Sequence, residues 1–295
     1  MTTDPAPIAG RDLAGPAMPD RVLALLDAVT AADGVAPVGE VGLLAIRHRT
    51  AEARHRWLAV DGELVGYAQI DPTGSAELCV APDHRRRGLG GALLDTLLDE
   101  EPQLSVWSHG DLPAARALAD RVGLRITREL WQMSLALPAA GRPSRSTPAD
   151  AAARTFVVGQ DEDRWVALNS RAFADHPEQG RLTADDVRQR EAEDWFDPTL
   201  LWLGHEAGRP DALLASMWVK AVPGEDDGEI YALGVDPAAQ GRGLGGWLTD
   251  LALDEMARRG LTRATLYVEG DNTAAIRTYR RAGFDRSAVD IHYSR

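Results

Sequence analysis

The stretches Leu233–Gly246, LGVDPAAQGRGLGG, and Leu78–Gly91, LCVAPDHRRRGLGG, decide the fold. Each is a short apolar run closed by a proline, then a glycine-rich turn carrying arginine, then the start of an amphipathic pattern. That order reads as strand, loop, helix. Closely spaced glycines let the backbone approach an anion, and the first N–H groups of the following helix, which lack an intrahelical acceptor, point into the loop. A pyrophosphate suits such a loop. In the second copy Gly241, Gly243, Gly245 and Gly246 supply the freedom and Arg242 adds charge. The helix expected from about Gly243 to Arg259 places Leu244, Trp247, Leu248, Leu251 and Met256 at helical spacing, which would fix the loop against the sheet.

Many surface turns are glycine-rich, so the surroundings matter more than the glycines. In both copies a V-x-P step precedes the pattern [QR]-x-x-G-x-G, at Gln240, Gly243 and Gly245 and at Arg85, Gly88 and Gly90. No G-K-[ST] follows, as a P-loop needs, and no acidic residue follows an intervening strand, as a dinucleotide fold needs. About thirty residues after the second loop comes NTAAIRTYRRAGF, Asn272 to Phe284. Together these resemble the two signature motifs of the GCN5-related N-acetyltransferases (GNAT), whose ligand is acetyl-CoA. The resemblance implies an α/β fold, in detail an α+β mixed sheet, in two tandem GNAT-fold domains.

A chain of 295 residues accommodates two domains. Its net charge of -13 argues against nucleic acid or an anionic membrane as partner. Cys79 is the only cysteine, so no intrachain disulfide forms and a reducing compartment is expected; its place in a strand reads as a buried small residue. The N-terminus lacks the apolar core of a signal peptide and no run is long enough to span a bilayer, so the expected location is the cytoplasm. Lys220 is the only lysine in a chain rich in arginine, which singles it out.

A helix is expected over 20–33, strands over 56–60, 64–71 and 76–81, with an Asp61-Gly62 hairpin turn, then a strand over 104–107, a helix over 112–122 and a strand over 126–137. Residues 138–153, rich in proline and small side chains, lose all periodicity and read as linker. The same order then returns: a strand over 155–158, helices over 161–173 and 183–193, strands over 200–206, 212–219 and 229–235, then the loop and its helix. A strand over 264–268, a helix over 273–282 capped by Asn272, and a strand over 288–293 complete it. The expected domains are 1–138, degenerate and non-catalytic, and 153–295, catalytic, joined by 139–152.

Acetyl transfer from a thioester to an amine needs a deprotonated amine, a polarised carbonyl and a proton for the departing thiolate. Alternation in the strand before the second loop places Glu229 on one face with Tyr231, Leu233 and Val235, where its carboxylate can relay a proton. Backbone N–H groups of 233–235 can bond the thioester carbonyl. Tyr279, on the helix after Asn272, can meet the sulfur as general acid. The bland alternatives are a charge at a hairpin end for Glu229 and a core aromatic for Tyr279. In the first half Glu229 aligns with Gly74, Tyr279 with Ala119 and Asn272 with Leu112, so the loop survives there without the acid, base or cap.

Nearly the whole chain, including DGVAPVGE at 33–40, HPEQGR at 176–181 and LYVEGDN at 266–272, resembles the mycothiol synthase family. That resemblance implies acetylation of the cysteinyl amine of a cysteinyl-glucosaminyl-inositol acceptor, with Glu229 as general base and Tyr279 as general acid. It implies acceptor contacts from Glu40, Glu178, Lys220, Glu229 and Tyr267. Acetyl-CoA would lie on Leu233, Gly234, Val235, Gln240, Gly241, Arg242, Gly243, Leu244, Gly245 and Gly246, and on Asn272, Thr273, Ala274, Ala275, Ile276 and Arg277. A second acetyl-CoA site would use Leu78, Cys79, Val80, Arg86, Arg87, Gly88, Leu89, Gly90 and Gly91, although its loop opens with Arg85 where the pattern has glutamine. A monomer without metal is expected. The competing readings are an acetyltransferase for another small amine or a protein N-terminus, and a non-catalytic acetyl-CoA sensor.

Overall fold

The computed structural model describes residues 10, 12, 13, 15, 17–48, 53–138, 145–174 and 179–295. In chain order its elements are α1 (Met18–Asp33), α2 (Glu40–His48), β1 (Arg54–Val60), β2 (Glu63–Ile70), β3 (Ser75–Val80), α3 (Leu89–Glu100), β4 (Ser105–Ser108), α4 (Pro113–Val122), β5 (Arg125–Ala136) and β6 (Ala151–Thr155). There follow α5 (Glu162–Ala172), α6 (Ala184–Glu191), β7 (Leu201–Glu206), β8 (Arg209–Lys220), β9 (Asp227–Val235), α7 (Leu244–Arg258), β10 (Arg263–Glu269), α8 (Thr273–Ala282) and β11 (Asp285–Ser294). The chain forms two compact units, Met1–Leu130 with Ala288–Arg295, and Trp131–Ser287.

In the first unit the strand order is β1-β2-β3-β4-β11. The β1–β2 hairpin turns at Asp61 and Gly62, both with positive φ, as a two-residue turn of the expected type requires. The chain's C-terminus closes this unit: β11 runs antiparallel to β4, with Ile291 opposite Ser108 and Tyr293 opposite Val106. Leu89, Leu93, Leu94 and Leu97 of α3 pack on one sheet face with Ala76 and Ile70. Val22, Leu25, Leu26 and Val29 of α1 pack with Tyr67 and Cys79.

In the second unit the order is β5-β10-β9-β8-β7-β6. One face packs on α7 and α8 through Met217, Val219, Ile230, Leu248, Leu266, Ile276 and Tyr279. The other packs on α5 and α6 through Trp165, Val187, Leu201, Trp218 and Ala232. Leu244, Leu248 and Met256 of α7 are buried, as the spacing in the sequence implies.

Three sequence expectations change. The strand placed at 155–158 lies at Ala151–Thr155, beginning inside the stretch read as linker and sharing only Thr155 with the expected span; Val157 and Val158 follow it exposed. Alanine has little intrinsic strand preference, and pairing of Ala151–Thr155 with β7 makes the strand. Helix α2 falls where no element was expected. The alternation of β9 is broken: Trp218 pairs with Ala232 and Val219 with Ile230, which leaves Tyr231 as the extra residue of a β-bulge. Glu229 and Tyr231 share the α5–α6 face by ordinary alternation, and the bulge moves Leu233 and Val235 to the α7 face with Ile230.

Candidate active site

The second loop has the geometry its glycines suggest. Asp236 accepts the Ala238 N–H at 2.9 Å and sets the tight turn Pro237–Ala239. Gly241 and Gly243 take φ of +79° and +80°, the left-handed region that favours glycine. Gly243 is the N-cap of α7 and no side chain caps this helix start, so its first amides face the loop. A Cβ at Gly246 would come within 2.9 Å of Arg145, which itself bonds the buried Asp250. Arg242, part-exposed, pairs with the exposed Asp150 at 2.6 Å.

Beside the loop, two parallel strands part. The β9–β10 ladder runs from Asp227–Arg263 to Ile230–Leu266, while β9 continues to Val235 and β10 to Glu269. The backbone edges of 233–235, expected to bond a thioester carbonyl, lie along this divergence. At its far side α8 starts on Asn272, whose side chain accepts the Ala275 N–H at 3.0 Å. The Thr273 and Ile276 amides are bonded to the Asp271 and Asn272 carbonyls, so the helix start offers an anion its macrodipole more than a row of open amides.

Glu229 lies opposite Lys220 in the β8–β9 register and opposite Thr265 in the β9–β10 register. Two residues beyond Thr265 on the same strand, Tyr267 is 44 % exposed, and its phenol oxygen accepts from Gln132 Nε2 at 3.3 Å. The Lys220 ammonium sits 4.9 Å from the centroid of Trp195 and 5.8 Å from that of Tyr231. Three of the residues assigned from sequence, Glu229, Lys220 and Tyr267, and the 233–235 backbone are thus placed along the neighbouring strands β8, β9 and β10. Glu40 opens α2 in the first unit, and Glu178 lies outside the described residues.

Tyr279 belongs to the opposite face. It is buried in the core with Ile276 and Leu266, its ring edge-on to Phe284 at 5.9 Å. Burial raises its pKa above the ordinary phenol value, so it carries its proton at neutral pH. Glu229 and Tyr279 thus stand on opposite sides of the sheet.

The first loop keeps the backbone, and among the described residues only one of its three arginines is held in an ion pair. Gly88 caps α3 with φ of +84°, and Arg86 takes φ of +62° where the second copy has Gly241. Arg85 is committed to Asp33 by two hydrogen bonds of 2.7 and 2.8 Å. Arg87 donates to the Asp83 carbonyl. Cys79 is buried, and burial pushes its thiol up to about 12, so it is a packing residue. Leu112 begins α4 with no side-chain cap, and Ala119 occupies a buried turn of that helix.

The sequence did not single out Trp195, or Arg190, whose Nε donates to the Tyr231 phenol at 2.5 Å. Nor did it give Tyr231 its place at the bulge. Arg190 is buried, and its type in a polar helix looks like any solvated arginine; only the fold brings it to β9.

Comparison with known proteins agrees with this architecture. Residues 163–284 match the model of the acetyltransferase (GNAT) family, and residues 30–123 match that of an acetyltransferase (GNAT) domain. A tandem GNAT protein from the clavulanic acid biosynthesis pathway superposes with a TM-score of 0.71 at 18% identity, covering 94% of each chain. A GCN5-related N-acetyltransferase from Sphaerobacter thermophilus does so at 0.69 and 24% identity, over 97% of this chain and 95% of the other. The chain is an acetyltransferase built from two GNAT domains. Mycothiol acetyltransferases from Cellulomonas flavigena and Beutenbergia cavernae are each 47% identical, over 94% and 96% of this chain and 86% and 97% of theirs. The chain belongs to the mycothiol acetyltransferase family. Among the described residues no helix is long and apolar enough to cross a membrane.

Proposed function

We propose that the chain transfers acetyl from acetyl-CoA to the cysteinyl amine of cysteinyl-glucosaminyl-inositol, with Glu229 as general base and Tyr279 as general acid. What supports this reading is the register that sets Glu229 opposite Lys220 and Thr265, one residue before the β9–β10 ladder ends, with Tyr279 on the other face of the same sheet. In direct transfer the amine attacks the carbonyl from one side while the thiolate departs on another, so base and acid belong on different sides of the thioester.

The diphosphate of acetyl-CoA would lie on the amides of Gly241 to Gly246, with the turn of 272–277 beside it and the pantetheine arm along 233–235. Glu229 takes the ammonium proton; an α-amino group of pKa about 8 needs only a weak base near neutrality. Nitrogen forms the new bond to the carbonyl carbon as the C–S bond breaks; the Tyr279 phenol protonates the departing thiolate, and the second proton, lost by the nitrogen as it becomes an amide, restores the phenol through solvent, so that one proton is released overall. Lys220 and Tyr267 donate to acceptor hydroxyls or carbonyls. Glu40 and Glu178 are assigned to the acceptor on the family resemblance.

The tandem copies are taken as 1–138 and 153–295 with 139–152 between them. The first copy holds acetyl-CoA without turning it over, because Gly74 and Ala119 occupy the positions of base and acid. The expected setting is a cytoplasmic monomer without a metal. The reading is tested by mass analysis of product after incubation with the cysteinyl pseudodisaccharide and a panel of unrelated amines. Better turnover of another amine would move the assignment to a different acetyltransferase, and acetyl-CoA binding with no acetylated product would move it to a sensor.

A further inference from the structure

The cation opposite Glu229 is held by a chain of contacts that starts on another element. Arg190 on α6 is buried and anchored by its Nη1 to the Asp186 carbonyl at 2.9 Å. Its Nε donates to the Tyr231 phenol oxygen at 2.5 Å, a charge-assisted bond, and its guanidinium also lies 5.9 Å from that ring's centroid. Tyr231 is the extra residue of the β9 bulge, so its ring direction is not set by cross-strand pairing. Trp195 packs at 5.3 Å from Tyr231 and 6.0 Å from the buried Trp218, and Lys220 rests over the faces of both Trp195 and Tyr231.

We propose that Arg190 and Tyr231 are positioning residues for acetyl transfer: Arg190 fixes the bulged Tyr231, and Tyr231 with Trp195 forms the aromatic bed that holds the Lys220 ammonium opposite Glu229. A lysine on a flexible stem loses rotamer freedom when it meets a ligand, and a fixed aromatic bed removes part of that loss in advance. The acceptor's hydroxyls or carbonyl then meet a cation already in place. This rests on the reading above, in which Lys220 contacts the acceptor.

The test is steady-state kinetics of the full chain with cysteinyl-glucosaminyl-inositol and acetyl-CoA, on Tyr231→Phe, Arg190→Met, their double variant and Lys220→Met. Tyr231→Phe keeps the ring and removes only the phenol, so it preserves the packing. Each single variant is expected to raise KM for the acceptor about five- to tenfold, less than the full worth of a hydrogen bond to a charged group because a positioning bond acts at one remove from the acceptor, with KM for acetyl-CoA unchanged. The double variant should be no worse than the more impaired single one, the signature of one shared interaction. Arg190→Lys should recover part of the loss. An unchanged acceptor KM in Tyr231→Phe and Arg190→Met, with Lys220→Met impaired, overturns the positioning role and leaves the acceptor reading standing. An unchanged acceptor KM in Lys220→Met overturns both.

Discussion

Lys220 and Glu229 are direct cross-strand partners at the ends of β8 and β9. The only lysine of the chain is therefore placed by backbone register beside the carboxylate proposed as base. Tyr231, two residues further on, falls on the same side by alternation, and the bulge there sends Leu233 and Val235 to the other, so Lys220, Glu229 and Tyr231 share one face of the sheet.

Glu229→Gln keeps the side chain's size and removes its basicity. The expected result is a fall in kcat of roughly 10²- to 10⁴-fold with KM for acetyl-CoA little changed. Wild-type kcat in this variant would falsify the base assignment.

Tyr279→Phe removes the phenol and retains a ring in the core. A fall in kcat of about 10²-fold is expected, with a thermal midpoint within a few degrees of wild type, because the ring still packs on Phe284. If kcat holds and only stability drops, Tyr279 is the core aromatic that its burial also permits.

Gly243→Ala places a Cβ at φ of +80° at the N-cap of α7, where the left-handed region costs an L-residue about 1–2 kcal/mol. Relaxation of the cap would move the first amides of the helix. KM for acetyl-CoA should rise roughly five- to thirtyfold while KM for the acceptor stays level. A change in acceptor KM alone would remove this loop from the acetyl-CoA site.

In the first unit His109 lies between two carboxylates, Nε2 at 2.7 Å from Glu77 and Nδ1 at 3.0 Å from Asp290. Burial alone would lower its pKa, but Asp290 and Glu77 reverse that and hold it up to about 10. Since the folded value is above the unfolded 6.5, the imidazolium's contribution is complete below pH about 6.5 and is lost as pH rises towards and through 10. The thermal midpoint of wild type should exceed that of His109→Asn at pH 6, by roughly 2–8 °C, and the gap should shrink by pH 10. A gap independent of pH would mean that His109 acts there as a neutral hydrogen-bonding group.

What sequence reading reached follows from how local each signal is. The glycines of the loop, the Asn272 cap and the helical faces of α7 and α8 depend on neighbours a few positions away, and the structure agrees with them. The bulge at Tyr231 was invisible, since one extra residue reverses the side of everything after it without altering the apparent alternation. Strand β6 hid in an alanine-rich stretch because its strand character comes from β7. Arg190 and Trp195 reached the site only through tertiary packing of the segment 184–196 against β9. The closing of the first unit by β11 was likewise beyond a reading that took the chain as two successive blocks.

The most direct measurement is release of free CoA thiol from acetyl-CoA, with and without cysteinyl-glucosaminyl-inositol, corrected for the acceptor's own thiol and followed by mass analysis of the product. The account predicts release that depends on the acceptor, with the acetyl group on the cysteinyl nitrogen. Acetyl-CoA binding with no acceptor-dependent release, or a product acetylated elsewhere, would contradict it.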